Sequence, residues 1–351
     1  MSFPRPLKKP RHLKPGDRIA VVSPSWGGPG TFPDRHEAGV RQLEQNFGVR
    51  VVEMEHTRAA PDFVAAHPEL RAADLMAAFA DPSIAGIISS IGGDDSVRLI
   101  PHLDLSVIAA NPKVFLGFSD TTSLHFACLA AGVTSFYGPS VMAGFAENAG
   151  MHRYTADAVQ RALFSADPIG PIPLNEEGYT TERLDWADPG LQSQRRVLQP
   201  AGVPRMLQGT GLVTGQLIGG CAEVLEMLKG TSWWPPLEYW DGAILFYETS
   251  EEVPSPGFIR YWLRNFAAQG ILQRLSGILL ARPDPGSDPD YPQKLEAAVV
   301  AALAEAGLPD LPVLSGLDFG HAAPILTLPY GVSASIDSAA ATLTIHEAGV
   351  I

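Results

Sequence analysis

Ser119 lies in the run Gly117-Phe118-Ser119-Asp120, between the apolar stretch Lys113-Val114-Phe115-Leu116 and a helix-like pattern from Thr121 to Leu129. A serine at a sharp strand-to-helix turn holds its hydroxyl out of the sheet. The next backbone N–H and the positive end of the helix stand beside it, as acyl transfer requires. Ser and Asp are also favoured as plain helix N-caps, and taken alone this run reads as a cap. The chemistry therefore depends on partners. A serine nucleophile needs a base, usually histidine, and the base needs a carboxylate to set its tautomer.

Ligands of open α/β sheets sit at the carboxyl ends of strands. Besides Ser119, two features fall at such ends. Gly92-Gly93 breaks the strand Ile84 to Ile91, where missing side chains let backbone N–H groups approach a ligand. Glu248 terminates the apolar strand Ala243 to Tyr247, either as a site residue or as the point where the sheet meets water. Glu251 and Glu252 read as solvated charge. Nine histidines compete for the role of base. His125 lies on the helix after Ser119, where a satisfied core or surface histidine is the commoner outcome. His321 stands out, because the loop Leu317-Asp318-Phe319-Gly320-His321 leaves a strand at 312–316 and Pro324 follows it. These residues alone leave the choice among histidines open.

The elements that must position these groups alternate. β-rich runs at Arg18–Val22, Val51–Glu55, Ile84–Ile91, 113–117 and Thr134–Tyr137 are separated by helical patterns at 34–46, Pro68–Phe79, 96–100 and 121–129. Such alternation predicts an open, mostly parallel sheet flanked by helices. From 167 to 205 the pattern dissolves into a proline-punctuated polar stretch containing Glu176-Glu177, Trp186 and Arg195-Arg196, which reads as a linker or a functional lid. Regular patterning then returns: Gly211–Ile218, helix Cys221–Leu228, Ala243–Tyr247, helix Phe258–Ala268, Gly277–Ala281, helix Gln293–Ala306, Val313-Leu314 and two terminal β-runs. The expected division is an N-terminal α/β domain over 1–166, a linker and substrate loop over 167–205, and a C-terminal α/β domain with a mixed, β-rich sheet over 206–351.

The 351 residues exceed what one core usually serves. A net charge of −13 argues against nucleic acid and anionic membrane as partners, while local arginines can still hold a small anion. Cys128 and Cys221 have no metal-like spacing and read as buried, reduced thiols, and no metal or other cofactor is expected. The apolar run Ile19–Val22 is too short for a signal-peptide core and no segment is long enough to span a bilayer, so a cytoplasmic protein is expected.

The turn Gly117-Phe118-Ser119-Asp120-Thr121-Thr122, the loop Ile91 to Arg98, the strand end Phe246-Tyr247-Glu248-Thr249-Ser250 and the loop Gly320-His321-Ala322-Ala323-Pro324 together resemble the LD-carboxypeptidase family of serine peptidases. The opening Leu13-Lys14-Pro15-Gly16-Asp17-Arg18 with Ser23-Pro24-Ser25 fits as well. The resemblance spans nearly the whole chain, in order. It implies a metal-free Ser-Glu-His triad of Ser119, Glu248 and His321, with an oxyanion hole from the N–H groups of Asp120 and of Gly92 or Gly93. It further implies a homodimer, and a site between two lobes. The glycine loop Ile91-Gly92-Gly93-Asp94-Asp95-Ser96 and the long segment around Trp186 resemble the microcin C immunity branch, whose members cleave the amide between a C-terminal acidic amino acid and a nucleotide-like group. On that reading the partner is a small peptidyl- or aminoacyl-nucleotide, Trp186 stacks the base and Arg195 or Arg196 meets a phosphate. The alternative is a muramoyl-tetrapeptide carboxypeptidase that removes terminal D-alanine. Cys221 stands where many relatives are expected to carry asparagine. A two-domain binding protein without catalysis would be marked by a lost triad position, and all three are present. Activity is expected to fall with acidity through the ordinary histidine range.

Overall fold

The computed structural model describes residues 3–351. Two sheets carry the chain. The first strands are β1 (Arg18–Val22), β2 (Arg50–Glu53), β3 (Ile84–Ser89), β4 (Val114–Gly117), β5 (Phe136–Tyr137) and β6 (Gly170–Pro171). They are followed by β7 (Arg205–Gln208), β8 (Leu212–Cys221), β9 (Ile244–Glu248), β10 (Gly277–Ala281) and β11 (Val313–Leu317). The chain closes with β12 (Leu328–Pro329), β13 (Ser333–Asp337) and β14 (Thr342–Ile345).

The first sheet has the order β12-β5-β4-β3-β1-β2, parallel from β5 to β2 with only the β12–β5 pairing antiparallel. The order 5-4-3-1-2 places a topological switch between β1 and β3, the point where doubly wound sheets open a crevice for ligand. The second sheet runs β6-β14-β13-β8-β9-β10-β11-β7. Its centre, β8 to β11, is parallel, and its flanks are antiparallel. This is the two-part α/β architecture with a mixed second sheet expected from the alternation. Strands β3, β4, β9 and β10 are apolar and almost wholly buried, as strands covered on both faces must be.

Two short strands cross between the halves of the chain. Leu328–Pro329 completes the first sheet beside Phe136–Tyr137, and Gly170–Pro171 edges the second beside Thr344 and Ile345. Helix Arg153–Leu163 had no counterpart in the sequence reading, although Tyr154, Ala158, Val159, Ala162 and Leu163 are buried at i, i+4, i+5, i+8 and i+9. The run after Gly92-Gly93 forms a 3-10 helix, Ser96–His102, with Pro101 inside it. A proline there denies an α-helix its backbone donor.

Candidate active site

β4 ends at Gly117, and helix Thr122–Ala131 begins five residues later. Ser119 takes up that change of direction with φ of 61°, a left-handed conformation that a non-glycine residue adopts at a cost of order 1–3 kcal/mol. Gly117 allows the tight turn, since a Cβ there would meet Ser89 Oγ at 2.5 Å. The Ser119 N–H donates to Tyr137 Oη at 3.0 Å, and Thr122 Oγ1 donates to the Ser119 carbonyl at 2.7 Å. The nucleophile turn is therefore held from both sides.

The second sheet brings the partners. Glu248 ends β9 and is buried, with 2% of its surface exposed, so it is no marker of the water boundary. His321 follows β11 on the loop beginning at Asp318. Its Nε2 lies 3.0 Å from Ser119 Oγ, and its Nδ1 lies 2.7 Å from Glu248 Oε2. The ring also meets Phe118 edge-on at 5.1 Å. Glu248 Oε1 accepts a hydrogen bond from Tyr137 Oη, so one phenol links the carboxylate to the backbone of the serine. Burial and then the Glu248 charge push the Tyr137 hydroxyl well above its ordinary value, which keeps it a donor. Gly320 is required where the loop passes Glu248: its φ is 86°, and a Cβ would sit 2.5 Å from Glu248 Oε2.

Gly92 packs directly on the serine, and a Cβ there would stand 2.9 Å from Ser119 Cβ and 3.0 Å from its Oγ. Asp120 is buried, and its Oδ2 accepts from the N–H groups of Asp95 (3.2 Å) and Ser96 (2.8 Å), tying the glycine loop to the serine turn. Among the described residues, the N–H groups of Gly92 and Gly93 meet no hydrogen-bond acceptor, and the Asp120 N–H directly follows the nucleophile. Replacement Gly92→Ala is expected to cut kcat by on the order of 100- to 1000-fold, because its methyl pushes against Ser119 and moves one oxyanion donor out of position. Its melting temperature should fall as well, because a Cβ 2.9 Å from Ser119 Cβ forces the glycine loop or the serine turn to shift. Steady-state kinetics beside a melting curve checks both.

Charge sets the state of His321. Burial lowers its pKa, but the charge and hydrogen bond of Glu248, joined by Glu251, outweigh burial and push it up to about 10. The acid limb of activity therefore belongs above the ordinary histidine range expected from sequence. Glu251 was read as solvated charge; instead its Oε2 lies 3.0 Å from His321 Nε2, and that contact pulls the carboxyl down to about 2. His125 sits in the core, with Nε2 on the Gly117 carbonyl and Nδ1 on Ser135 Oγ, and burial drives it down to about 3. It is the satisfied core histidine. Cys221 ends β8 in register with Glu248, and burial raises its thiol.

Ser119 and His321 line a cavity of about 790 Å³ together with Gly92, Gly93, Trp186 and Glu251. Trp186 meets Phe32 edge-on at 5.8 Å, and the Arg35 guanidinium lies 4.9 Å from its ring centre. Arg196 also lines the cavity, pinned to the buried Glu147 through Nε at 2.9 Å. Arg195 does not; its side chain is exposed outside the cavity. Sequence reasoning missed Tyr137, Trp26 and Arg35. The last two come from the β1 side of the switch point, and no local pattern marks them.

A left-handed serine at a strand–helix turn, bonded to a buried histidine–carboxylate pair, is the arrangement of an α/β serine hydrolase. Residues 19–138 match the LD-carboxypeptidase N-terminal domain, and residues 214–336 match the LD-carboxypeptidase C-terminal domain. The chain belongs to the LD-carboxypeptidase family and is a serine carboxypeptidase. Its likeness includes the microcin C immunity branch: it is 29% identical to the microcin C7 self-immunity protein MccF of Escherichia coli, across 93% of this chain and 92% of that one. It is 28% identical to the murein tetrapeptide carboxypeptidase of Pseudomonas aeruginosa, across 91% and 93%. Among solved structures, MccF in complex with aspartyl sulfamoyl adenosine superposes with a TM-score of 0.86 at 29% identity, covering 98% of this chain and all of that one. An MccF-like protein from Streptococcus pneumoniae in complex with AMP gives 0.85 at 29%, covering 95% and 99%. No helix among the described residues is long and apolar enough to cross a membrane.

Proposed function

We propose that this carboxypeptidase hydrolyses the amide between an amino acid and a nucleotide-like group. Ser119 attacks the carbonyl, His321 Nε2 takes the hydroxyl proton and returns it to the leaving group, and Glu248 holds the imidazole in the tautomer that leaves Nε2 free to accept. The N–H groups of Asp120 and Gly92 or Gly93 take the oxyanion. The observation that carries the chemistry is the continuous run Ser119 Oγ–His321 Nε2, His321 Nδ1–Glu248 Oε2, at 3.0 and 2.7 Å, opening on a cavity with an indole in its wall.

The substrate class rests on the cavity and on the relatives. A volume of about 790 Å³ suits a ligand larger than a dipeptide, and Trp186 offers an aromatic face to a base. MccF and its pneumococcal relative bind an aminoacyl sulfamoyl adenosine and AMP. An acidic side chain on the amino acid would turn toward Arg183, which is exposed while bound to Asp284. A cytoplasmic homodimer organised as an N-terminal domain, a substrate loop and a C-terminal domain completes the reading.

The deciding assay compares aspartyl sulfamoyl adenosine with a muramoyl tetrapeptide ending in D-alanine. Wild type is expected to cleave the first with the higher kcat/KM. Trp186→Ala should lose roughly 5- to 150-fold on it, the worth of about 1–3 kcal/mol of base stacking. Cleavage of the tetrapeptide alone would establish the murein reading instead.

A further inference from the structure

Glu251 stands three residues beyond β9, on a loop whose root is fixed by Ser250, both of whose donors reach Glu223 Oε1 (N–H at 2.9 Å, Oγ at 2.5 Å). Its side chain is 45% exposed and lines the cavity, yet its Oε2 reaches within 3.0 Å of His321 Nε2. Ser119 Oγ lies 3.0 Å from the same nitrogen. That nitrogen carries either a proton or a lone pair. A protonated ring forms an ion pair with Glu251; only a neutral ring with Nε2 bare accepts the serine proton. In this position Glu251 therefore favours the form of His321 that does no base catalysis.

The groups facing the imidazole are Glu248 at Nδ1, Glu251 and the Ser119 hydroxyl at Nε2, and the edge of Phe118. Behind them, Tyr137 donates to Glu248, and the charge of Arg183, which also lines the cavity, favours the Glu251 carboxylate. Asp94 and Glu252 line the cavity as well, together with the guanidinium groups of Arg35, Arg183 and Arg196.

We propose that Glu251 is a specificity-determining residue that receives a free ammonium on the scissile acyl residue, and that this amine draws the carboxylate away from His321 as substrate seats. The inference rests on the aminoacyl-nucleotide reading. An α-nitrogen lies about 2.5 Å from its own carbonyl carbon by standard bond lengths. A carbonyl poised about 3–3.5 Å from Ser119 Oγ thus brings an α-ammonium within reach of a carboxylate already beside that oxygen's partner. When the ammonium pairs with Glu251, the Nε2 proton passes to solvent and His321 becomes a base. Substrate binding and activation of the base are then one event. A tetrapeptide, whose scissile residue has its α-nitrogen tied in an amide, lacks that trigger on its backbone.

The test uses aspartyl sulfamoyl adenosine and its N-acetyl derivative with wild type, Glu251→Gln and Glu251→Asp. Wild type should prefer the free amine at least tenfold in kcat/KM. Glu251→Gln should bring that ratio close to one, chiefly through KM for the free amine, and should move the acid limb of the profile to lower pH. Glu251→Asp should restore part of the preference. A wild-type ratio persisting in Glu251→Gln, or an unmoved acid limb, overturns the proposal. If wild type cleaves neither nucleotide but does cleave tetrapeptide, the nucleotide reading fails by itself. The Glu251→Gln acid limb, measured on the tetrapeptide, then decides the His321 contact.

Discussion

Ser119→Ala is expected to lower kcat by about a million-fold, the scale of loss when a triad nucleophile is removed from groups that act as one unit. The substitution takes away the atom 3.0 Å from His321 Nε2 and leaves the backbone's hydrogen bonds to Tyr137 and Thr122 available. Binding should therefore survive. Titration with a non-hydrolysable adenylate ought to give a dissociation constant near wild type, while single-turnover hydrolysis disappears. Unchanged turnover would return the chain to the class of binding proteins without catalysis. Alanine tolerates φ near 61° no better than serine, so folding stability should shift little.

Glu248→Gln is expected to cost about ten-thousand-fold in kcat, as when the carboxylate of a triad becomes an amide and the histidine tautomer is reversed. A glutamine can offer its NH2 to His321 Nδ1, which places the ring proton on Nε2, where the serine proton must arrive. The pH profile separates this from simple unfolding. Glu248 is the leading influence that raises His321 against burial. Removing its charge lowers the imidazole pKa, so the residual activity should keep its neutral base at more acidic pH than wild type does. An acid limb that stays in place would mean that Glu248 does not face the catalytic imidazole. Combining Glu248→Gln with Ser119→Ala should cost little more than Ser119→Ala alone, since the members of such a unit are far from additive.

The parts of the site legible in the chain were those with local causes. Ser119 announced itself because a strand, a turn and a helix follow within a dozen residues. Gly92 and Gly93 were marked as glycines at a strand end and are explained by neighbours a Cβ would meet, Ser119 and Ser25; Gly320, read only as part of the His321 loop, is explained by Glu248. His321 stood out by its loop, but only its family resemblance separated it from eight other histidines. Glu251 was misjudged for the complementary reason. A glutamate beside a glutamate after a strand is usually solvated, and nothing local says that a loop arriving 70 residues later brings an imidazole against it. Arg195 and Arg196 are equivalent as a dipeptide, yet only Arg196 meets the buried Glu147 and turns inward.

The sequence by itself determined the alternation of strands and helices, the two-sheet α/β class and the chemical types available at the strand ends, because backbone periodicity and turn stereochemistry act over a few residues. Only the tertiary structure decided which of those ends converge. The serine comes from one sheet and the carboxylate and imidazole from the other, and their meeting depends on packing between segments 111 to 202 residues apart. It also decided the charge state of the histidine, since a pKa is set by every buried charge around the ring and not by the residues beside it in the chain.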